Sequence, residues 1–274
     1  MRTFLLVALT MCAFAGNSIL NRLGVAGYGM DPMDFAVIRV LAGAVTLWAL
    51  VRLRGGAPAP VRHWGGAVTL AVYMLGFSWA YLSLGAGVGA LILFGVVQLA
   101  MFGWAVRQRQ SVPGLRWLGA VVAFGGLVLL LWPAGGLTVP LAGALSMAAA
   151  GAAWAGYTLL GQGAANPLAA TAVNFGRCVP LVLPALLLGD LGRASLGGVL
   201  VAVTAGAVTS GLGYALWYRV LPGLAVSVAA ITQLSVPVIA VAAGALLLGE
   251  PVTARLVLAS ALVLGGIALS LVRR

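Results

Sequence analysis

A chain of 274 residues with 63% hydrophobic and only 7% charged side chains cannot be a soluble domain, because no fold of that size hides so much apolar surface from water. The net charge of +11 does not mark a nucleic-acid partner, since the arginines flank apolar segments singly and form no patch. The solvent these residues require is a lipid bilayer.

A spanning helix needs about 20 apolar residues. The sequence supplies ten such segments in order: Thr3–Leu23, Asp34–Leu53, Trp64–Leu84, Val88–Val106, Trp117–Trp132, Leu141–Leu160, Leu168–Leu188, Leu196–Val220, Ala225–Gly249 and Arg255–Val272. Proline and glycine punctuate the joints at Gly55-Gly56-Ala57-Pro58, Pro133-Ala134-Gly135-Gly136, Asn166-Pro167, Pro222-Gly223 and Glu250-Pro251. The dyad alternation of a transmembrane barrel is not visible. The 39 glycines suit helices that approach closely in lipid. The first segment lacks a good small-residue cleavage site and is read as a retained helix, not a signal peptide. Cys12 and Cys178 lie in apolar stretches without CxxC or metal spacing and are expected to be packed, reduced thiols.

Arginine placement sets the orientation. With the N-terminus in the cytoplasm, ten arginines fall on the inner side and three on the outer, with Arg39 and Arg177 inside spans. All four acids, Asp31, Asp34, Asp190 and Glu250, fall at or near the outer face. The reading is therefore a multi-pass membrane protein with both termini cytoplasmic.

The chain also repeats itself. Phe14-Ala15-Gly16-Asn17-Ser18 returns as Trp154-Ala155-Gly156-Tyr157-Thr158, and Gly119 to Gly126 overlies Ala259 to Gly266 at the same shift. Two copies of five helices each are necessarily inverted, the arrangement of an alternating-access transporter. The expected fold class is an all-α membrane protein of ten transmembrane helices, divided into repeats at residues 1–134 and 135–274.

Several motifs carry a resemblance. They are Ala13-Phe14-Ala15-Gly16-Asn17-Ser18, Ile38-Arg39, Ala215-Leu216-Trp217-Tyr218-Arg219-Val220-Leu221-Pro222-Gly223, Pro237 within its span, Leu246-Leu247-Leu248-Gly249-Glu250-Pro251, and Gly265-Gly266. In this order they resemble the EamA repeat of the drug/metabolite transporter superfamily, twice over. The resemblance implies a ten-helix carrier of small metabolites, commonly an exporter, with amino acids among the substrates of relatives. The first half departs from the pattern: Arg109-Gln110 stands where the second has Gly249-Glu250, and Gln98 or its neighbour faces Pro237.

Polar groups inside spans are costly and normally face the bundle interior. Arg39 and Arg177 occupy matching positions; each either attracts an anionic substrate group such as a carboxylate or caps carbonyls and snorkels to an interface. Gln98, Gln233 and Asn17 either contact ligand or form interhelical hydrogen bonds worth about 0.6 kcal/mol each; for Asn174 packing is preferred. Tyr73, Phe77, Trp79 and Tyr81 on the third span, Trp154 and Tyr157 on the sixth, and Tyr214, Trp217 and Tyr218 on the eighth cluster where a midplane cavity would open. Trp64, Trp217 and Tyr218 are read as interfacial anchors. The substrate-binding set is thus Asn17, Tyr73, Trp79, Tyr81, Gln98, Trp154, Tyr157, Arg177 and Gln233. Pro180, Pro184 and Pro237 are hinges or static kinks.

No HExxH, Gly-x-Ser-x-Gly or intramembrane acid pair is present, so no catalytic residue, metal or cofactor is assigned and an enzyme is not expected. The sole histidine, His63, lies in a loop and no acid lies near the membrane centre, which predicts facilitated transport, or coupling by a route other than protons. The partners are a small metabolite and the lipid bilayer, and the chain is expected to act as a monomer. Export of aromatic or other apolar amino acids is the leading reading, with a multidrug or other metabolite permease of the same fold as the alternative.

Overall fold

The structure, a computed structural model, describes residues 2–57, 63–109, 113–132, 139–161, 164–220 and 232–271. Among the described residues there are ten helical spans and no strand. They are α1 (Arg2–Arg22), α2 (Pro32–Leu53), α3 (Gly65–Ala80), α4 (Ala86–Arg107), α5 (Gly114–Leu131), α6 (Leu141–Gly161), α7 (Pro167–Val182), α8 (196–220), α9 (Ser235–Leu248) and α10 (Ala254–Leu271). Six are long and apolar enough to cross a bilayer, and α3, α9 and α10 are shorter apolar helices. Their outward faces stay apolar: Leu246 and Leu247 on α9 are 84% and 71% exposed, as suits helices bathed in lipid. The chain is an all-α membrane protein. The predicted joints at 58–62, 133–138 and 221–231, the predicted start of the ninth span at Ala225, and the side chain of Tyr218 lie outside the described residues.

Local chemistry explains the helix ends. The carboxylate of Asp31 accepts from the backbone N–H of Met33 and Asp34, with Pro32 opening α2; the amide oxygen of Asn166 accepts from Ala169 N–H, with Pro167 opening α7. An oxygen-bearing cap followed by proline in the first turn is a strong helix start, here used at the second helix of each half. At the far end of α9, Gly249 turns into the left-handed region (φ +65°), and Glu250 N–H donates back to Gly244 O (3.1 Å). Arg109, 140 residues earlier, adopts the same region (φ +53°) after α4. The turn has been kept where the glycine has not. A left-handed conformation costs a residue with a Cβ about 1–2 kcal/mol. Arg109 is exposed, so Arg109→Gly is expected to stabilise the protein by about 1 kcal/mol, read as a higher SDS midpoint in an unfolding titration.

Four details depart from the predicted elements. α3 stops at Ala80 and continues as a turn through Leu84. α7 is α-helical only to Val182 and then tightens into a 3₁₀ turn, Leu183–Leu187, because Pro180 and Pro184 each remove an amide from the ladder. α8 is not one regular helix: Leu196–Thr204 is α-helical, Ala205–Leu212 is π-helical, and Gly213–Val220 is α-helical again. Cys178 is buried as expected, but Cys12 is exposed on the outside of α1.

Several glycines let helices meet at close range inside the bundle. A Cβ on Gly266 would lie 2.5 Å from Ala123 N and 2.6 Å from Gly119 O, so α5 and α10 touch backbone to backbone. Gly206 of α8 rests on the carbonyl of Arg39 in α2, and Gly87 of α4 on Val241 of α9. The main pairings are α5 with α10, α3 with α6, α4 with α6, α2 with α7, α2 with α8, α3 with α7, α4 with α9, α1 with α8 and α1 with α9. Exchanging each helix for the one five places away returns the same set. α1 ends and α6 begins beside the end of α3: Arg22 Nη1 donates to Tyr81 O (2.9 Å), while Gly143 packs on Ser83 and Leu84. The first helices of the two halves therefore run in opposite directions.

Candidate substrate site

Aromatic rings from both halves meet in the middle of the bundle. Tyr73 and Trp154 have centroids 4.9 Å apart, Trp154 and Tyr214 5.3 Å, Phe14 and Tyr214 5.8 Å, and Tyr73 and Phe77 5.2 Å. Together with Asn17, Ser18, Leu93, Phe94 and Gln233 these rings wall a cavity. The walls come from α1, α3 and α4, and from α6, α8 and Gln233, two residues before α9, which are the same three positions in each half. The cavity measures about 20 Å³, space for one water-sized molecule. Pockets for small-molecule ligands measure about 300–1,000 Å³, so this conformation is closed around its centre.

Pro237 bears on the Gln233 wall. It cannot supply the amide proton that a regular helix would give to the carbonyl four residues earlier, and the helix is interrupted at Leu234. Gln233 thus reaches the cavity at a break in the helix.

Behind the wall lies a buried polar network. Arg39 is fully buried, and its Nε donates to Ser210 Oγ (3.1 Å) and its Nη2 to Asn17 Oδ1 (3.1 Å) and Tyr73 Oη (3.3 Å). Its guanidinium stands 5.0 Å from the Phe77 ring centroid and 5.5 Å from that of Tyr73. Thr209 and Ser210 also donate to Asn17 Oδ1, at 2.6 and 3.3 Å. Both belong to the π-helical stretch of α8; a wider turn re-aims side chains, and such stretches recur at functional sites. Asn21 continues the network by donating to Asn17 O (2.9 Å) and accepting from Ser78 Oγ (2.8 Å). Among the described residues Arg39 forms no ion pair, and its Nη1 has no hydrogen-bond partner. Desolvating a guanidinium without a countercharge costs on the order of several kcal/mol.

Of the predicted binding residues, Asn17, Tyr73, Trp154 and Gln233 line the cavity. Tyr157 stacks on Trp154 (5.5 Å) and approaches Thr171 Oγ1 (3.4 Å), one layer out. Tyr81 is buried under Phe77 (4.9 Å) and donates to Ala86 O (3.4 Å). Gln98 is half-buried one turn beyond Phe94, outside the lining. Trp79 is 39% exposed on the outer face of α3. Arg177 lies away from the cavity: its Nη1 donates to His63 O (3.4 Å) and its guanidinium covers the Trp64 ring (5.3 Å). The matched arginines thus have different surroundings. Trp217, expected to be an interfacial anchor, packs on Phe14 (6.0 Å). Arg39, Asn21, Thr209, Ser210, Phe14 and Tyr214 complete the core of the site. The sequence already marks Arg39 and Tyr214; for Asn21, Thr209 and Ser210 the signal is the i, i+4 spacing of Asn17 and Asn21 on one helix face, and a polar pair, Thr209-Ser210, inside a glycine-rich run.

The two ends of the bundle differ. At one, Glu250 Oε1 accepts from Ala86 N–H (2.8 Å) at the start of α4 and pairs with Arg22 Nε (3.5 Å) at the end of α1. Gly85 and Gly244 make room for this carboxylate: a Cβ on either would come within 2.9 and 2.7 Å of Oε2. One side chain thereby ties α1, α4 and α9 together, and Arg22 carries the link on to the end of α3. At the other end a vestibule of about 510 Å³ lies between Val51, Arg54, Asn166, Leu168, Ala215 and Arg219. Tyr214 lines the central cavity and its neighbour Ala215 the vestibule, so both spaces use α8 without sharing a lining residue.

The profile of the EamA-like transporter family matches residues 141–272, from the start of α6 through α10. An uncharacterised protein of Pseudomonas aeruginosa is 47% identical over 278 aligned positions, covering 100% of this chain and 96% of its own. The uncharacterised transporter YwfM of Bacillus subtilis is 27% identical, covering 80% of this chain and 77% of its own; an uncharacterised transporter of Archaeoglobus fulgidus is 28% identical, covering 87% and 88%. A crystal structure with 20% sequence identity matches with a TM-score of 0.66 over 96% of this chain and 98% of that one, a likeness of fold. The chain belongs to the EamA family of the drug/metabolite transporter superfamily and is a multi-pass membrane transporter of small molecules.

Proposed function

We propose that the protein exports amino acids with aromatic or other apolar side chains from the cytoplasm across a bacterial inner membrane, by alternating access between two inverted repeats, residues 1–134 and 135–274. The observation that carries this reading is the central cavity. Its aromatic walls come from equivalent helices of the two halves, with the Glu250 contacts at one end of the bundle and the vestibule at the other. Flat apolar walls suit such side chains, and the amides of Asn17 and Gln233 suit a polar head group. The vestibule end carries Arg54 and Arg219, and the positive-inside bias assigns it to the cytoplasm. Pro180, Pro184 and Pro237 are the points about which helix segments bend.

The test is uptake of labelled L-phenylalanine into proteoliposomes. Wild type is expected to show saturable, counterflow-competent transport. Trp154→Ala removes the ring that touches Tyr73, Tyr157 and Tyr214, and is expected to raise KM by about tenfold or more, the loss of roughly 1.4 kcal/mol of contact. Non-saturable flux in wild type would instead describe a channel. Asp34, the buried acid, sits in the first turn of α2 and does not line the cavity, so an imposed pH gradient is expected to leave the initial rate within about twofold. Strong acceleration by protons would overturn that expectation.

A further inference from the structure

Arg39 is a buried cation whose partners are all neutral. Asn17, Ser210 and Tyr73 supply dipoles, Tyr73 and Phe77 supply ring faces, and among the described residues no acid pairs with it. One nitrogen of the fork, Nη1, is unspent. Three of these contacts, Asn17, Tyr73 and Phe77, are themselves the cavity wall. A desolvated guanidinium held rigidly by neutral groups is preorganised for a planar anion that can take two parallel N–H donors. The approach has the same sign, since Arg54 and Arg219 line the vestibule.

We propose that Arg39 is the countercharge for a carboxylate on the transported molecule. The carboxylate takes Nη1 and shares Nη2 with Asn17, while the aromatic walls take the apolar remainder. This rests on the transport reading above but does not require an amino group on the substrate. Arg177, held by the His63 carbonyl and the Trp64 ring, has no part in it.

The experiment is a tryptophan-fluorescence titration of the purified full-length protein with three probes: 3-phenylpropionate, L-phenylalanine and phenethylamine. The two carboxylates are expected to saturate the signal, with phenethylamine weaker by about tenfold or more. Arg39→Gln is expected to raise the Kd for 3-phenylpropionate by about tenfold or more, and Arg39→Lys by less, since an ammonium keeps the charge and loses the fork. Either variant could fail to fold, so Asn17→Asp is the second arm. It places a carboxylate against Arg39 from within, and is expected to stay monodisperse while losing 3-phenylpropionate binding. Phenethylamine binding as tightly as 3-phenylpropionate, no binding of either carboxylate, or full affinity in Asn17→Asp would each overturn the proposal. Binding of 3-phenylpropionate without L-phenylalanine would support the carboxylate site and sink the amino-acid reading alone.

Discussion

Glu250→Ala is expected to open the end of the bundle where α1, α3, α4 and α9 meet. The carboxylate accepts a backbone hydrogen bond from the start of α4 and an ion pair from the end of α1, in a recess made by Gly85 and Gly244. A charge-assisted hydrogen bond contributes about 1.5–3 kcal/mol, and a negative charge at a helix N-terminus is itself favoured. Losing about 2 kcal/mol from the closed form shifts the balance toward opening by about thirtyfold. The measurement is labelling of a single cysteine at Ser18, which lines the cavity, by a membrane-impermeant maleimide applied from the Glu250 side. The background removes Cys12 and Cys178. Wild type is expected to be protected and Glu250→Ala to label at least tenfold faster, with Glu250→Gln in between because it keeps an acceptor and loses the charge. Equal protection in all three would show that this carboxylate does not hold the end closed.

Gly266→Leu is expected to prevent stable assembly of α5 and α10. The Cβ alone would collide with Ala123 N and Gly119 O, both backbone atoms that cannot turn aside. Helices in lipid associate through such close approach, with no hydrophobic drive to replace it. Overpacking costs about 1–3 kcal/mol and more where backbone must move. The expected result is loss of the monodisperse peak in detergent, or an SDS midpoint far below wild type. Gly265→Leu is the control, since a Cβ there meets nothing within 4 Å and points outward. If Gly265→Leu fails as badly as Gly266→Leu, the cause is the glycine's sequence position and not this contact.

The ten spans were legible because lipid imposes length and apolarity, and because caps and breakers such as Asn166-Pro167 and Gly249 act locally. Faces were harder to read. A helix apolar all round has no polar stripe to tell inside from outside. Spacing would have helped on α3: Tyr73, Phe77 and Tyr81 recur every fourth residue and share the buried face, whereas Trp79 falls opposite. Arg39 and Arg177 are identical in type and matched in position, and only their neighbours separate them. One meets Asn17, Ser210 and Tyr73; the other meets a carbonyl and an exposed indole. The π-helical stretch of α8 depends on partners in α1 and α2, and no run of residues announces it.

The left-handed turn shared by Arg109 and Gly249 has a consequence for how the molecule rests. Both halves own the same backbone corner, but a glutamate follows it in only one. If the two halves alternate as proposed, twin corners with a single clasp would weight the resting balance toward the form shut on the Glu250 side. Writing Gly-Glu at 109 and 110 would even the scale, leaving a protein with no favoured posture.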